Sequence, residues 1–264
     1  MNYSKILLGL VLGMALGMVG CQRAAETQTP DVAQSAPAQA AASTQADAPV
    51  ENAPVNLLKN PGFEEGLQDW TWLDWSKGWS AFALSESRVH EGKGALHLPV
   101  LSVDQRPTVV WGGVQEIELP AEIPDCIDGY YYVENWESGN WKQYLQLVVI
   151  DLTHSLGQGN GQAQLRYIVS GSRTPPLTIS NASYLFVEKE RRDTPVIGQW
   201  TYFSVNPRQD FIESWHYTPN QGAKLRVLFE GRFDLHHDPA TRARADVYYD
   251  DLYFGPKTAD HCAD

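Results

Sequence analysis

Two neighbouring stretches of the chain mix flat rings with hydrogen-bonding side chains: Tyr130-Tyr131-Tyr132-Val133-Glu134-Asn135-Trp136 and Trp141-Lys142-Gln143-Tyr144-Leu145-Gln146. Such a mixture suits a sugar, whose apolar C–H face is covered by an indole or phenol while amides and carboxylates take its hydroxyls. Strict alternation puts Tyr130, Tyr132, Glu134 and Trp136 on one face of the first stretch, and Tyr144 and Gln146 opposite Leu145 and Leu147 in the second. With the short turn Glu137–Asn140 between them, the expected ligand platform is Trp136, Trp141 or Tyr144, with Gln146 and Glu134 supplying hydrogen bonds. Trp215, beside another polar turn, is a further ring of this kind. The chain holds nine tryptophans, and a core consumes such rings too, so packing is the expected use of most of them.

Signs of catalysis are thin. The sequence contains no G-x-S-x-G elbow, no H-E-x-x-H, no C-x-x-C and no glycine-rich phosphate loop. His236-His237-Asp238, with His216 and Asp234 upstream, has the residue types of a metal site, yet adjacent histidines on a strand point to opposite faces, and a polar loop before Pro239 accounts for them. No pair of carboxylates is marked out at the separation that glycoside hydrolysis requires. The expectation is a protein that binds and does not catalyse.

At the N-terminus Lys5 precedes an uncharged apolar run, Ile6 to Val19, too short to span a bilayer comfortably, which reads as a signal peptide. It ends Met18-Val19-Gly20-Cys21, which resembles a bacterial lipobox and implies lipidation of Cys21. Two or more acyl chains anchor stably where one does not. Gln22 is not the aspartate associated with inner-membrane retention, so the expected location is the cell envelope, at the outer membrane. From Gln22 to about Val55 the chain is rich in Ala, Gln, Thr, Pro, Asp and Ser without one aromatic residue, the composition of a disordered tether. Once residues 1–20 are set aside, 19 basic face 32 acidic side chains, a net of −13 that argues against nucleic acid and anionic surfaces and is compatible with a neutral ligand or bound calcium. With Cys21 lipidated, Cys126 and Cys262 remain as a pair that an oxidising compartment permits to form a disulfide.

Beyond the tether, segments rich in Val, Tyr, Trp, Phe and Ile alternate at period two between Gly, Pro, Asn and Asp clusters and predict strands over Thr108–Leu119, Gly129–Trp136, Trp141–Leu152, Leu165–Ser170, Tyr184–Glu188, Trp200–Val205, Lys224–Phe233 and Ala245–Phe254. In the first of these, Val109, Trp111, Gly113, Gln115, Ile117 and Leu119 share a face. Only Asn206–Trp215 looks helical, with Asn206 suited to cap and Pro207 to the first turn. Many strands and almost no helix predict one all-β domain over residues 56–264, a β-sandwich or jelly roll.

The opening Asn56-Leu57-Leu58-Lys59-Asn60-Pro61-Gly62-Phe63-Glu64-Glu65-Gly66, followed by Trp70 as a core ring, resembles the start of carbohydrate-binding modules of families 4, 9 and 22. Gly92-Lys93-Gly94-Ala95-Leu96-His97-Leu98, Val114-Gln115-Glu116-Ile117 and Val247-Tyr248-Tyr249-Asp250-Asp251-Leu252-Tyr253-Phe254 follow in the family's order, while Thr153 to Gln199 is longer than its pattern. The resemblance implies a galactose-binding-like jelly roll, a polysaccharide or oligosaccharide as ligand, and a structural Ca2+ that joins the two ends of the domain. Its implied ligands are Glu64, Gly62, Lys93 through its carbonyl, and Asp250 or, as alternation admits only one of the pair, Asp251, with Glu91 a further contributor; Ca2+ takes six to eight hard oxygens of this kind. The alternative to glycan binding is a surface lipoprotein whose jelly roll contacts other proteins; a jelly-roll hydrolase or lyase is the third reading. Replacing Cys21 with Ser should release the protein from the membrane fraction, and a variant that still sediments with membranes would contradict the lipid anchor.

Overall fold

A computed structural model describes residues 55–102, 108–139, 142–156, 161–171, 176–187, 193–234 and 242–263. The signal peptide, Cys21, the tether, Trp141, Glu188 and the His236-His237-Asp238 run lie outside these residues. Twelve strands and one helix follow in order: β1 (Trp79–Ser80), β2 (Ala83–Ser85), β3 (Ala95–Leu101), β4 (Thr108–Glu118), β5 (Cys126–Glu137), β6 (Gln143–Ser155), β7 (Gln162–Ser170), β8 (Leu177–Ile179), β9 (Ala182–Phe186), β10 (Thr201–Val205), α1 (Pro207–Trp215), β11 (Lys224–Asp234) and β12 (Arg244–Gly255). The helix starts where the sequence indicates, with the Asn206 side chain accepting from Gln209 N–H at 3.0 Å and Pro207 in the first turn.

The strands form two sheets, one of seven in the order β1-β4-β11-β6-β7-β9-β8 and one of five in the order β10-β5-β12-β3-β2. From β3 to β6 the chain passes to the other sheet at every step, and β10, β11 and β12 alternate again, which is the winding of a jelly-roll β-sandwich. This winding corrects one expectation. β5 and β6 are consecutive in the chain but belong to different sheets, so the turn after Glu137 crosses the sandwich and does not close a hairpin.

Between the sheets lies a core in which the face read from alternation in β4 is inward: Val109, Trp111, Ile117 and Leu119 are all in it. Gln115 shares that face and is held by Lys59, donating to its carbonyl (2.7 Å) and accepting its N–H (3.0 Å). Trp70 is core as expected, stacked on Phe63 at 5.0 Å and edge-on to Phe229 at 5.9 Å. The N-terminal segment of the domain is bonded to β12, with Leu57 N–H donating to Phe254 O at 2.7 Å and Leu252 N–H to Pro61 O at 3.2 Å. A disulfide joins Cys126 and Cys262 across 136 residues and fixes the C-terminal tail to the start of β5. Closing so long a loop restricts the unfolded chain by on the order of 5 kcal/mol in the chain-entropy model.

Two bulges redirect side chains. Asp246 pairs with Glu134 and Arg244 with Glu137, so β5 carries one residue more than β12 there, and Asn135 takes it up at φ 54°. The extra residue reverses the alternation, and Trp136 turns inward onto the core instead of continuing the face of Tyr132 and Glu134. In β12 the extra residue falls between Asp250 and Tyr253, with Asp251 at φ 48° opposite Gly129. A side chain at Gly129 would meet Leu252 Cδ2 at 2.7 Å, so only glycine lets the bulge close against β5.

Candidate functional site

The outer face of the seven-stranded sheet carries a row of residues paired across five strands: Gly112 on β4, Glu230 on β11, Gln146 on β6, Ile168 on β7 and Phe186 on β9. At the usual strand spacing this row is about 19 Å long. Trp79 lies over its first position: a Cβ on Gly112 would come within 3.0 Å of the indole and 3.2 Å of Glu230 Cγ. Tyr184 stands near the other end, with the Arg166 guanidinium 5.7 Å from its ring centre. One pleat along, Val114, Leu228 and Val148 form an apolar row covered by Leu73, Trp79 and Ile150. One pleat the other way, Arg232 pairs with Tyr144.

Polar groups at the middle of the row are sunk among these neighbours. Glu230 is 2% exposed and Gln146 fully buried. Gln146 Nε2 donates to Glu230 Oε2, and Arg232 NH1 lies 3.8 Å from the same oxygen. Arg232 Nε donates to both Asp234 oxygens at 3.0 and 3.1 Å, and Tyr144 OH donates to Asp234 Oδ2 at 2.6 Å. Burial pushes the Glu230 carboxyl above its ordinary value, against the pull of Arg232 and Arg166 and the Gln146 hydrogen bond. Burial likewise raises Tyr144 well above the usual phenol range, so it remains a neutral donor. Among the described residues Gln146 Oε1 has no hydrogen-bond partner.

The expected platform is therefore divided by the fold. Tyr144 and Gln146 face outward on β6, as alternation indicated, and belong to the row. Glu134 lies on the outer face of the other sheet, accepting from Arg88 NH2 and Tyr248 OH, each at 3.0 Å. Arg88 stacks 4.5 Å over Tyr132 there, and His97 stacks on Tyr248 at 4.6 Å. Trp136 and Trp215 are both partly buried and pack against the core. His216 is the C-cap of α1. Sequence reasoning missed Trp79, Glu230 and Arg232. The signal was present in β11, where Phe229 and Phe233 mark the inward face and leave Glu230, Arg232 and Asp234 together on the opposite one.

The residues expected to hold Ca2+ gather where the two ends of the domain meet. A Cβ on Gly62 would lie 3.7 Å from Asp251 Oδ1, 4.0 Å from Asp250 Oδ1 and 3.9 Å from Glu64 Cγ. Both aspartates reach this corner because the bulge after Asp250 breaks the alternation that would have separated them. Asp250, fully buried, accepts from His90 N–H at 2.7 Å and Asp251 N–H at 2.8 Å. Burial, opposed by these bonds and aided by the Asp251 charge, raises its carboxyl to about 6. His90 Nδ1 lies 2.5 Å from Asp251 Oδ2, and with Glu91 these groups fall within 4.8 Å of one another. Lys93 meets Glu64 through its N–H, at 2.6 Å. Glu64 sits where any side chain on Gly92 would be, 1.9 Å from the Cβ position. Hard carboxylate oxygens from opposite ends of the chain match the donor chemistry of Ca2+.

No family model and no curated protein matches the chain. Solved structures that it resembles include the module TmCBM61 in complex with β-1,4-galactotriose (13% identity, 77% of this chain and 99% of that one, TM-score 0.40). Caldicellulosiruptor saccharolyticus CBM27-1 in complex with mannohexaose is similar at 13% identity, 78% and 99% coverage and a TM-score of 0.38. The K1 cleaved adhesin domain of Lys-gingipain from Porphyromonas gingivalis W83 is similar at 10% identity, 75% and 96% coverage and a TM-score of 0.38. The architecture itself rests on the strand order and register given above.

Proposed function

We propose that this domain binds a carbohydrate chain, without transforming it, along the outer face of the seven-stranded sheet. The observation that carries this reading is the Glu230–Gln146 acid–amide pair set into a row with Trp79 at one end and Tyr184 and Phe186 at the other. Rings at the ends of such a row offer surface to the C–H faces of a sugar, and the buried acid–amide pair sets the charge and polarity of the floor between them. The carboxylate in the row, Glu230, already accepts from Gln146 Nε2, an arrangement suited to recognition more than to proton transfer. Ca2+ held by Glu64, Asp250 and Asp251 would join the ends of the domain and offset the crowding of their charges. Lipid on Cys21 would display the module from the bacterial envelope, at the outer membrane, where glycans are met.

Calorimetric titration with a panel of soluble polysaccharides should find at least one bound in the millimolar to micromolar range, about −4 to −8 kcal/mol. Glu230→Gln, which keeps shape and removes charge, and Tyr184→Ala should each weaken it at least tenfold. Glu134→Ala, on the other sheet, should not. If no glycan binds the intact protein, the surface is one for contacts with other proteins.

Removing Ca2+ with a chelator should lower the melting temperature by several degrees, and Asp250→Ala should remove that response. Identical melts with and without chelator would overturn the calcium assignment.

A further inference from the structure

The row described above opens at its β9 end into a cavity of about 170 Å³ whose walls are of a different character. Ile168, Leu177, Ile179 and Phe186 supply aliphatic and phenyl surface, Tyr184 a ring face, and Tyr144 with Asp234 the base. Lys142 is the cation of the lining, next to Asp234 through the bond from Asp234 N–H to Lys142 O (3.1 Å).

The polar groups at the base are already committed. Asp234 Oδ1 accepts from Thr108 Oγ1 (3.0 Å) and Arg232 Nε (3.0 Å), and Oδ2 from Tyr144 OH (2.6 Å) and Arg232 Nε (3.1 Å). Those contacts occupy the roughly four acceptor positions of a carboxylate. A sugar ring placed here would bury hydroxyls against aliphatic walls without partners, which is costly. An unsubstituted aromatic ring has no such requirement. A cavity of on the order of 150 Å³ lined by Leu, Ile and Phe side chains accommodates benzene, and this one is of that size.

Four of the lining residues, Leu177, Ile179, Tyr184 and Phe186, come from the β8–β9 hairpin, which extends the sheet through parallel pairing of β9 with β7. Leu177 is half-buried and Ile179 is 62% exposed at the sheet edge, where strands usually carry charge to deter unwanted pairing. Ile168 and Phe186 belong both to this cavity and to the row, so a ligand lying along the row reaches the cavity without a break.

On the reading that the row binds glycan, we infer that the β8–β9 cavity takes an aryl group carried by the sugar, as an aromatic ester or an aryl glycoside, and that the preferred ligand is an aryl-substituted carbohydrate. The test is calorimetric titration of the full-length protein with matched phenyl and methyl glycosides of xylose, glucose, galactose and mannose. In at least one pair the phenyl compound should bind ten times or more as tightly as the methyl compound. Leu177→Asp should bring that ratio to near one. Ile179→Asp, at an exposed position that tolerates the change, should lower it as well if Leu177→Asp compromises folding. Pairs that bind equally would overturn this inference and leave the glycan reading standing. A phenyl preference that survives both substitutions would also overturn it, because the ring would then lie elsewhere. A panel in which neither member of any pair binds, together with failure of the polysaccharides, would remove the glycan reading and this inference with it.

Discussion

A carboxylate that is 2% exposed on the outward face of a sheet sets the terms for everything around it. Burying the Glu230 charge is costly unless it is paired and hydrogen-bonded. The register of β11 against β6 provides for this by setting Glu230 beside Gln146 and Arg232 beside Tyr144. Arg232 then divides its guanidinium between Glu230 and Asp234, which holds it above its ordinary range even though burial opposes its charge. Gly112 completes the arrangement on the other side, since any side chain there would displace Trp79 from beside Glu230. A shift of β11 by one residue would exchange these groups with Phe229, Gly231 and Phe233, and both the core and the row would be lost.

Much of the fold was legible because period-two patterning survives wherever a strand has one buried face. Eight strands and the helix α1 lie within a few residues of the positions that patterning and the Asn206-Pro207 start indicate. What patterning lacks is the identity of each strand's neighbours. Two adjacent segments joined by a short turn look like a hairpin, yet in this winding β5 and β6 belong to different sheets. The site drawn from chain proximity therefore joined residues of two different surfaces, and of its described residues Tyr144 and Gln146 lie on the one where the acidic, amide and aromatic groups converge.

Bulges were the second source of divergence. One extra residue at Asn135 turns Trp136 against the core, and another after Asp250 brings Asp250 and Asp251 to the same corner. Neither is visible as a change in composition. Gly129, which permits the second bulge, reads in the sequence only as a glycine within a strand. The acidic corner thus depends on a local departure from the alternation that identified its strand.

The two outer faces make opposite claims on the tryptophans. Trp79 borders the Glu230 row, whereas Trp200 lies on the five-stranded sheet, its Nε1–H donating to Val89 O at 3.2 Å and its ring 5.5 Å from Tyr132. Indole N–H resonances of the ¹⁵N-labelled protein, followed while a bound oligosaccharide is titrated in, separate these surfaces directly. The result expected is a saturable shift of the Trp79 resonance with those of Trp200 and Trp136 unmoved. A shift of Trp200 with Trp79 unchanged would place the ligand on the opposite sheet and contradict the account.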